Sequence, residues 1–238
     1  MTKDEFILYL KEEGIEVTER QMEQFDTYFK MLVEWNEKIN LTAVTEENEV
    51  YEKHFYDSIT PLFYTDFEEG ASLCDVGAGA GFPSIPMKII RPDLKITIVD
   101  SLNKRIMFLN ELTANLELDK ITLVHDRAET FGQHKARHMF DVVTARAVAR
   151  LNVLAELCLP LVRTGGKFIV LKGKRTMEEI DEAEFALKLL GGKLEAIHEL
   201  SLPEEESDRY ILEIKKTSKT PRKYPRKPGT PNKKPLMN

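Results

Sequence analysis

With 238 residues, 42% of them hydrophobic, 31% charged and 8% aromatic, the chain has the balance of a globular protein with a sizeable core. Peptide hormones, disulfide mini-scaffolds and disordered chains are excluded. The net charge of −6 is unevenly placed: nine basic and no acidic residues lie from Lys215 onward, whereas the preceding 214 residues carry 25 basic against 40 acidic side chains. An acidic body with a basic tail suits approach to a polyanion, and equally a tail that only solubilises.

No apolar run approaches the roughly 20 residues of a membrane-spanning helix. The start, Met1-Thr2-Lys3-Asp4-Glu5, lacks the basic-then-apolar pattern of a secretory leader, so a cytoplasmic protein with no membrane partner is expected. Cys74 and Cys158 offer neither a disulfide framework nor metal-ligand spacing, and no metal site is expected. Nothing in the sequence marks an obligate protein partner.

Residues 1–70 read as a helical extension. From Glu19 to Asn40 the residues Met22, Phe25, Phe29, Leu32, Val33 and Ile39 recur at mostly three- and four-residue spacings, and Thr18 with Gln21 marks a capping box. A shorter helix is expected over Glu46 to Thr60, ended or bent by Pro61. From Ala71 short apolar runs alternate with helical stretches. Strands are expected at Ser72–Val76, Lys95–Asp100, Ile121–His125, Phe140–Ala145, Lys167–Leu171, Lys193–His198 and Tyr210–Ile214, with helices at Asn103–Leu118, Leu151–Val162 and Met177–Leu190. This alternation over 71–216 predicts a doubly wound α/β domain with a mostly parallel seven-stranded sheet. The last two strands are joined by a loop without a helix, so the final strand should run antiparallel. Residues 217–238 hold five of the eleven prolines and few large apolar side chains, and are expected to form a flexible basic tail.

Asp75-Val76-Gly77-Ala78-Gly79-Ala80-Gly81-Phe82-Pro83 follows the first strand, where glycines permit a tight turn and let a ligand approach the backbone. Asp100 ends the second strand, placed to accept hydrogen bonds from ribose hydroxyls, and Asp126-Arg127-Ala128-Glu129 follows the third, placed to meet an adenine ring. All three segments fall at the carboxyl ends of strands, where ligands of such sheets bind. Together they point to an adenosine-containing ligand.

The spacing Gly77-x-Gly79-x-Gly81 departs from the dinucleotide G-x-G-x-x-G, and Pro83 and Pro86 remove N–H donors that a pyrophosphate would use. Asp75 suits a ligand bearing an α-amino group better than one bearing phosphate. The loop therefore favours S-adenosylmethionine over a nicotinamide cofactor, with Asp75, Gly79, Gly81 and Asp100 as its contacts.

After the fourth strand, Thr144-Ala145-Arg146-Ala147-Val148-Ala149-Arg150 stands where such enzymes place the acceptor. It has no Asn-Pro-Pro-Tyr motif for an exocyclic amine and no cysteine for pyrimidine carbon-5. Guanine N7 needs neither device, because its in-plane lone pair carries no proton, and catalysis reduces to positioning and electrostatics. Arg146 is a positioning candidate for phosphate, guanine O6 or a cofactor carboxylate, or a salt-bridged structural arginine. Lys172, at the end of the fifth strand, is either a phosphate contact or a solvated strand end.

These residues resemble the glucose-inhibited division protein B (RsmG) family, the small-subunit ribosomal RNA guanine-N7 methyltransferases. The resemblance is carried by Leu32-Val33-Glu34-Trp35-Asn36-Glu37-Lys38-Ile39-Asn40-Leu41-Thr42, His54-Phe55-Tyr56-Asp57-Ser58, the Asp75–Pro86 loop, the His125–Phe131 and Thr144–Arg150 segments, and a tail running from Lys223 to Lys233. It implies a Rossmann-like class I methyltransferase fold. It also implies direct attack of N7 of one guanine in 16S rRNA of the small ribosomal subunit on the S-adenosylmethionine methyl group. Cofactor contacts carry over onto Gly77, Phe82, Ala128, Glu129 and Arg146, and RNA contacts onto Arg127, Arg146 and Lys172. Lys223, Arg226 and Lys227 join the RNA set if the tail is a binding arm. A non-catalytic, cofactor-binding ribosome assembly factor and an NAD-dependent oxidoreductase are the competing readings.

His54 reads as a core or capping histidine ahead of an RNA contact, and Trp35 as packing. His134 and His138 read as a solvated pair ahead of a metal pair.

Overall fold

The computed structural model describes residues 1–134, 136–205 and 207–237. The chain begins with helix α1 (Lys3–Glu12) and helix α2 (Glu19–Ile39), and Thr18 and Gln21 form the expected reciprocal capping box at the start of α2. The helix expected over Glu46 to Thr60 is present as a continuous run over 47–59 with a π-helical middle, and Pro61 opens a separate short helix. The segments are α3 (Glu47–Val50), a π-helical stretch Tyr51–Tyr56, α4 (Asp57–Ile59) and α5 (Pro61–Tyr64). Tyr51 and Phe55 would share a face in an α-helix too, and the wider turn brings Tyr56 nearer to that face, so that all three are buried.

Strands β1 (Ser72–Val76), β2 (Lys95–Asp100), β3 (Ile121–His125), β4 (Phe140–Arg146), β5 (Val162–Lys172), β6 (Gly192–Ser201) and β7 (Asp208–Lys216) form one sheet in the order β3-β2-β1-β4-β5-β7-β6. The first five are parallel, and β7 is antiparallel to both β5 and β6. The strand order reverses between β1 and β4, whose carboxyl ends diverge into a crevice.

Helices α6 (Ser84–Ile90) and α7 (Asn103–Asn115) cover one face of the sheet. Leu73, Ile96 and Ile98 meet Ile85, Phe108 and Leu109 there, and Phe25, Tyr28 and Phe55 of the N-terminal extension share the same core. The extension is thus a layer over that face. A train of ring contacts, Phe6 to Phe25 (5.1 Å), Phe25 to Phe55 (5.0 Å), Phe55 to Tyr28 (5.0 Å) and Tyr28 to Phe82 (5.4 Å), runs from α1 to the glycine loop. On the opposite face α9 (Leu151–Cys158) and α10 (Thr176–Leu190) pack on Cys74, Val143, Phe168 and Val170, while α8 (Ala128–Gln133) follows β3.

The tail is not the flexible arm its composition suggests. Tyr224 and Leu236 are buried in the second core, and α11 (Thr230–Lys233) gives the segment one helical turn. Arg137 donates to the carbonyls of Thr220, Pro221 and Tyr224, and Gln133 to that of Pro225. The segment holds its place through side-chain anchors and main-chain acceptors, which proline retains; it needs no regular structure of its own.

Candidate active site

The carboxyl ends of β1 to β5 carry two clefts that share the loop after β4, with Val148 and Ala149 lining one and Ala147 the other. The first, about 230 Å³, is lined by Gly77, Val99, Ser101, Asp126, Arg127, Ala128, Glu129, Val148, Ala149 and, from the tail, Gly229, Pro231 and Asn232. The second, about 340 Å³, is lined by Lys53, His54, Asp57, Arg146, Lys172 and Arg209 among others. The structure therefore brings Gly77, Arg127, Ala128 and Glu129 into one site and Arg146 with Lys172 into its neighbour.

The glycine loop enters the first cleft at Gly77. Gly77, Gly79 and Gly81 all have positive φ, as the tight turn requires. A Cβ on Gly77 would stand 2.9 Å from Val148 Cγ2, so only a bare backbone lets the loop after β4 close over it. Tyr28 ties the loop to α2: its buried hydroxyl donates to the Ala80 carbonyl at 2.6 Å. Asp100 braces the loop from β2, its two oxygens accepting from Gly79 N–H (3.1 Å) and Leu102 N–H (2.9 Å).

Asp75 is fully buried beneath the loop. Its Oδ2 accepts from Ser84 N–H at 3.0 Å, whereas Oδ1 has no hydrogen-bond partner among the described residues. Burial raises its pKa to about 7, against the pull of Ser84 and the Arg146 charge. An orphaned buried carboxylate oxygen under a glycine cradle fits a ligand with a cationic amino group. The apolar lining of the first cleft, with Asp126 and Glu129 at its edge, fits a nucleoside. S-adenosylmethionine therefore fits the residues present.

Phe82 does not face open space. His54 stacks on it at 4.6 Å, Tyr28 stacks at 5.4 Å, and the Arg146 guanidinium lies 4.9 Å from its ring centre. Arg146 Nη1 donates to Asp57 Oδ2 at 2.7 Å and to the Lys53 carbonyl at 3.2 Å. Asp57 Oδ1 in turn accepts from Arg209 Nε at 3.2 Å. Arg146 is thus salt-bridged, as one sequence reading held, and lines the second cleft as the other required.

Lys172 fits neither of its two sequence readings in full. Its side chain is mostly buried, with Nζ 2.6 Å from the Ala149 carbonyl and 2.7 Å from Glu179 Oε2, while Glu179 also accepts from Leu151 N–H. The pair holds the loop between the clefts from below, where Ala147 takes a left-handed φ of 55°. Arg127 and the tail residues Lys223 and Lys227 are exposed, but Arg226 is committed to Glu156, whose side chain is 1% exposed.

His54 packs on Phe82 and bonds Thr42 Oγ1 at 2.7 Å, and burial with the Arg146 charge pushes its pKa down to about 3, so it is neutral near pH 7. It is a packing residue rather than a helix cap. Trp35 packs edge-on against Phe108. His134 and His138 fall in the turn after α8 instead of on a helix face, and His138 Nε2 accepts from Thr220 N–H. Sequence reasoning passed over Tyr28, Asp57, Arg209 and the tail residues of the first cleft. Glu156, an acid inside the apolar run of α9, was the one visible sign that something must come to pair with it.

Solved structures share this architecture. TYW2 of M. jannaschii, in complex with AdoMet, aligns with a TM-score of 0.55 at 11% identity over 73% of this chain and 79% of that one. TrmN from Thermus thermophilus aligns at 0.54 and 16% identity over 70% and 53%. At these identities the likeness is one of fold: a Rossmann-like, doubly wound α/β domain with its clefts at the carboxyl ends of the strands. The chain belongs to the GidB family, rRNA small subunit methyltransferase G, whose model matches residues 21–208. Proteins named ribosomal RNA small subunit methyltransferase G from Macrococcus caseolyticus and Staphylococcus aureus (strain JH9) are 64% and 59% identical over 237 residues. The match covers all of this chain and 100% and 99% of those proteins.

Proposed function

We propose that the chain methylates N7 of a specific guanine in 16S rRNA of the small ribosomal subunit, using S-adenosylmethionine. The observation that carries this reading is the placement of Gly77, Ala128 and Glu129 in one cleft and Arg146 with Lys172 in the other, the two sharing the loop after β4. Family membership supports the reaction class and the small-subunit substrate. No helix among the described residues is long and apolar enough to cross a membrane, which agrees with work in the cytoplasm where subunits are assembled.

In this reading Gly77, Ala128 and Glu129 hold the adenosine part of the cofactor, and Asp75 under the loop neutralises its amino group. Bound S-adenosylmethionine supplies an electrophilic methyl group. Guanine N7 attacks without a proton to lose, so the chain has to orient the base and exclude water; no general base is needed. Arg146, rigid between Asp57, the Lys53 carbonyl and Phe82, offers a fixed guanidinium edge for guanine O6 or a phosphate. The Asp57 carboxylate beside it offsets the repulsion that a bare guanidinium would exert on the cationic product. In this reading Arg127, Lys223 and Lys227 meet RNA phosphates, and their exposure supports it.

The test is Arg146→Ala measured for both methyl transfer and subunit binding. Loss of transfer with subunit binding retained supports an enzyme. A full chain that binds cofactor and subunits but transfers no methyl group is instead an assembly factor, and one that binds NAD and ignores S-adenosylmethionine is an oxidoreductase.

A further inference from the structure

Seven basic charges and five prolines in residues 217–238 invite the view that the C-terminal segment is an RNA-binding arm or an idle tether. The structure gives it another place. Gly229, Pro231 and Asn232 line the first cleft with Ala128 and Glu129, and Gly229 N–H donates to Glu129 Oε1 at 2.9 Å. We propose that these tail residues are part of the cofactor site and close its adenine end. This inference rests on reading the first cleft as the S-adenosylmethionine site.

Three features support it. First, residues 229–232 are fastened on both sides. Upstream, Arg226 donates to Glu156 through its main-chain N–H (2.8 Å), Nε (2.9 Å) and Nη2 (2.6 Å), and its Nη2 also reaches the Lys234 carbonyl (2.7 Å). Downstream, Leu236 is buried in the core. Breaking the Arg226 pair would leave a carboxylate stranded at 1% exposure, so the segment is held against the body.

Second, the approach of the chain is built into the body. A Cβ on Gly132 would lie 3.3 Å from Pro225 Cγ, closer than an ordinary contact, and Gln133 accepts the strand of tail by donating to the Pro225 carbonyl at 2.9 Å.

Third, the chemistry of the enclosed space suits a purine ring. Val99, Val148, Val153, Leu157 and Pro231 supply apolar surface, and Asp126 with Asn232 supplies polar groups at its edge. Without the tail, one wall of this space is solvent, and a bound ring would bury less surface.

The experiment compares the full chain with a chain ending at Lys227, which keeps the Arg226–Glu156 pair. Titration calorimetry with S-adenosylmethionine and S-adenosylhomocysteine should give at least tenfold weaker binding for the shortened chain. Because loss of Leu236 can also weaken the fold, a second measurement is made on the intact chain. Amide hydrogen exchange at residues 229–233 should slow at least tenfold on saturation with S-adenosylhomocysteine. Affinity within twofold and unchanged exchange, in a full chain that binds the ligand, would overturn the inference alone. A full chain that binds neither ligand would overturn the cofactor reading, and the inference with it.

Discussion

Asp57 and Arg146 form the ion pair on which the second cleft is built: Oδ2 and Nη1 are 2.7 Å apart, with both side chains largely withdrawn from water. The carboxylate comes from the N-terminal extension and the guanidinium from the end of β4, so the extension reaches into the site. Removing Asp57 takes away the carboxylate that Arg146 and Arg209 share and leaves Arg146 on the Lys53 carbonyl and the Phe82 ring. Asp57→Ala should cost about 3 kcal/mol of stability. It should lower methyl transfer by roughly 10- to 100-fold through misplacement of Arg146. Urea unfolding and a double-mutant cycle with Arg146→Ala check this, and additive losses in the cycle would show that the two side chains act independently.

Tyr28 makes a second link between extension and loop, and its hydroxyl can be removed without its ring. Tyr28→Phe keeps the stack on Phe82 but leaves the buried Ala80 carbonyl without its donor. A loss of about 1–2 kcal/mol is expected, with weaker cofactor binding because the loop is less fixed. Unchanged melting temperature and affinity would mean that the bond contributes nothing net.

Gly81→Ala should be worse. The residue has φ of 99°, and a Cβ would fall 2.7 Å from Tyr28 Oη and 2.8 Å from Ile85 Cγ1. Backbone strain and displacement of Tyr28 act together, so a loss of about 2–4 kcal/mol is expected, and cofactor binding should fall with it. Cofactor affinity equal to the parent's at full folding would contradict the role given to the loop.

Asp75 predicts a pH dependence of the cofactor-free chain. Its pKa rises on folding from an ordinary 3.8 to about 7, because burial disfavours the carboxylate. Between those values the folded chain holds a proton that the unfolded chain has released. The stability contributed is therefore complete below the lower value and is lost as pH rises through 7. Asp75→Asn should flatten this fall in urea unfolding curves taken from about pH 4.5 to 8. His54 acts in the opposite sense at the acid end, since its pKa drops from 6.5 to about 3 on folding. Its contribution is present above 6.5 and is lost as pH falls toward 3. Parallel stability curves for parent and Asp75→Asn would sink the assignment.

Strands such as Lys95–Asp100 and the start of α2 were legible because their signals are local: a bounded β-branched run, and a capping pair three residues apart. The strand-end placement of the glycine loop, Asp100 and the Asp126–Glu129 segment was legible for the same reason, since each follows a bounded strand signal. The π-helical stretch Tyr51–Tyr56 was not, because a π turn and an α turn differ by one residue in the spacing of aromatic positions. The roles of Asp57 and Arg209 were hidden because Asp57 meets Arg146 across 89 residues of sequence and Arg209 meets Asp57 across 152. For the tail, composition predicted disorder, while a few specific anchors, above all Glu156 in α9, decide the outcome.

The central claim is best tested by incubating the chain and labelled S-adenosylmethionine with small ribosomal subunits from cells lacking the gene, then digesting the RNA to nucleosides. The account predicts label in 7-methylguanosine alone, at one residue per 16S rRNA. Label in any other nucleoside, or no label in subunits or free RNA despite cofactor binding, would contradict it.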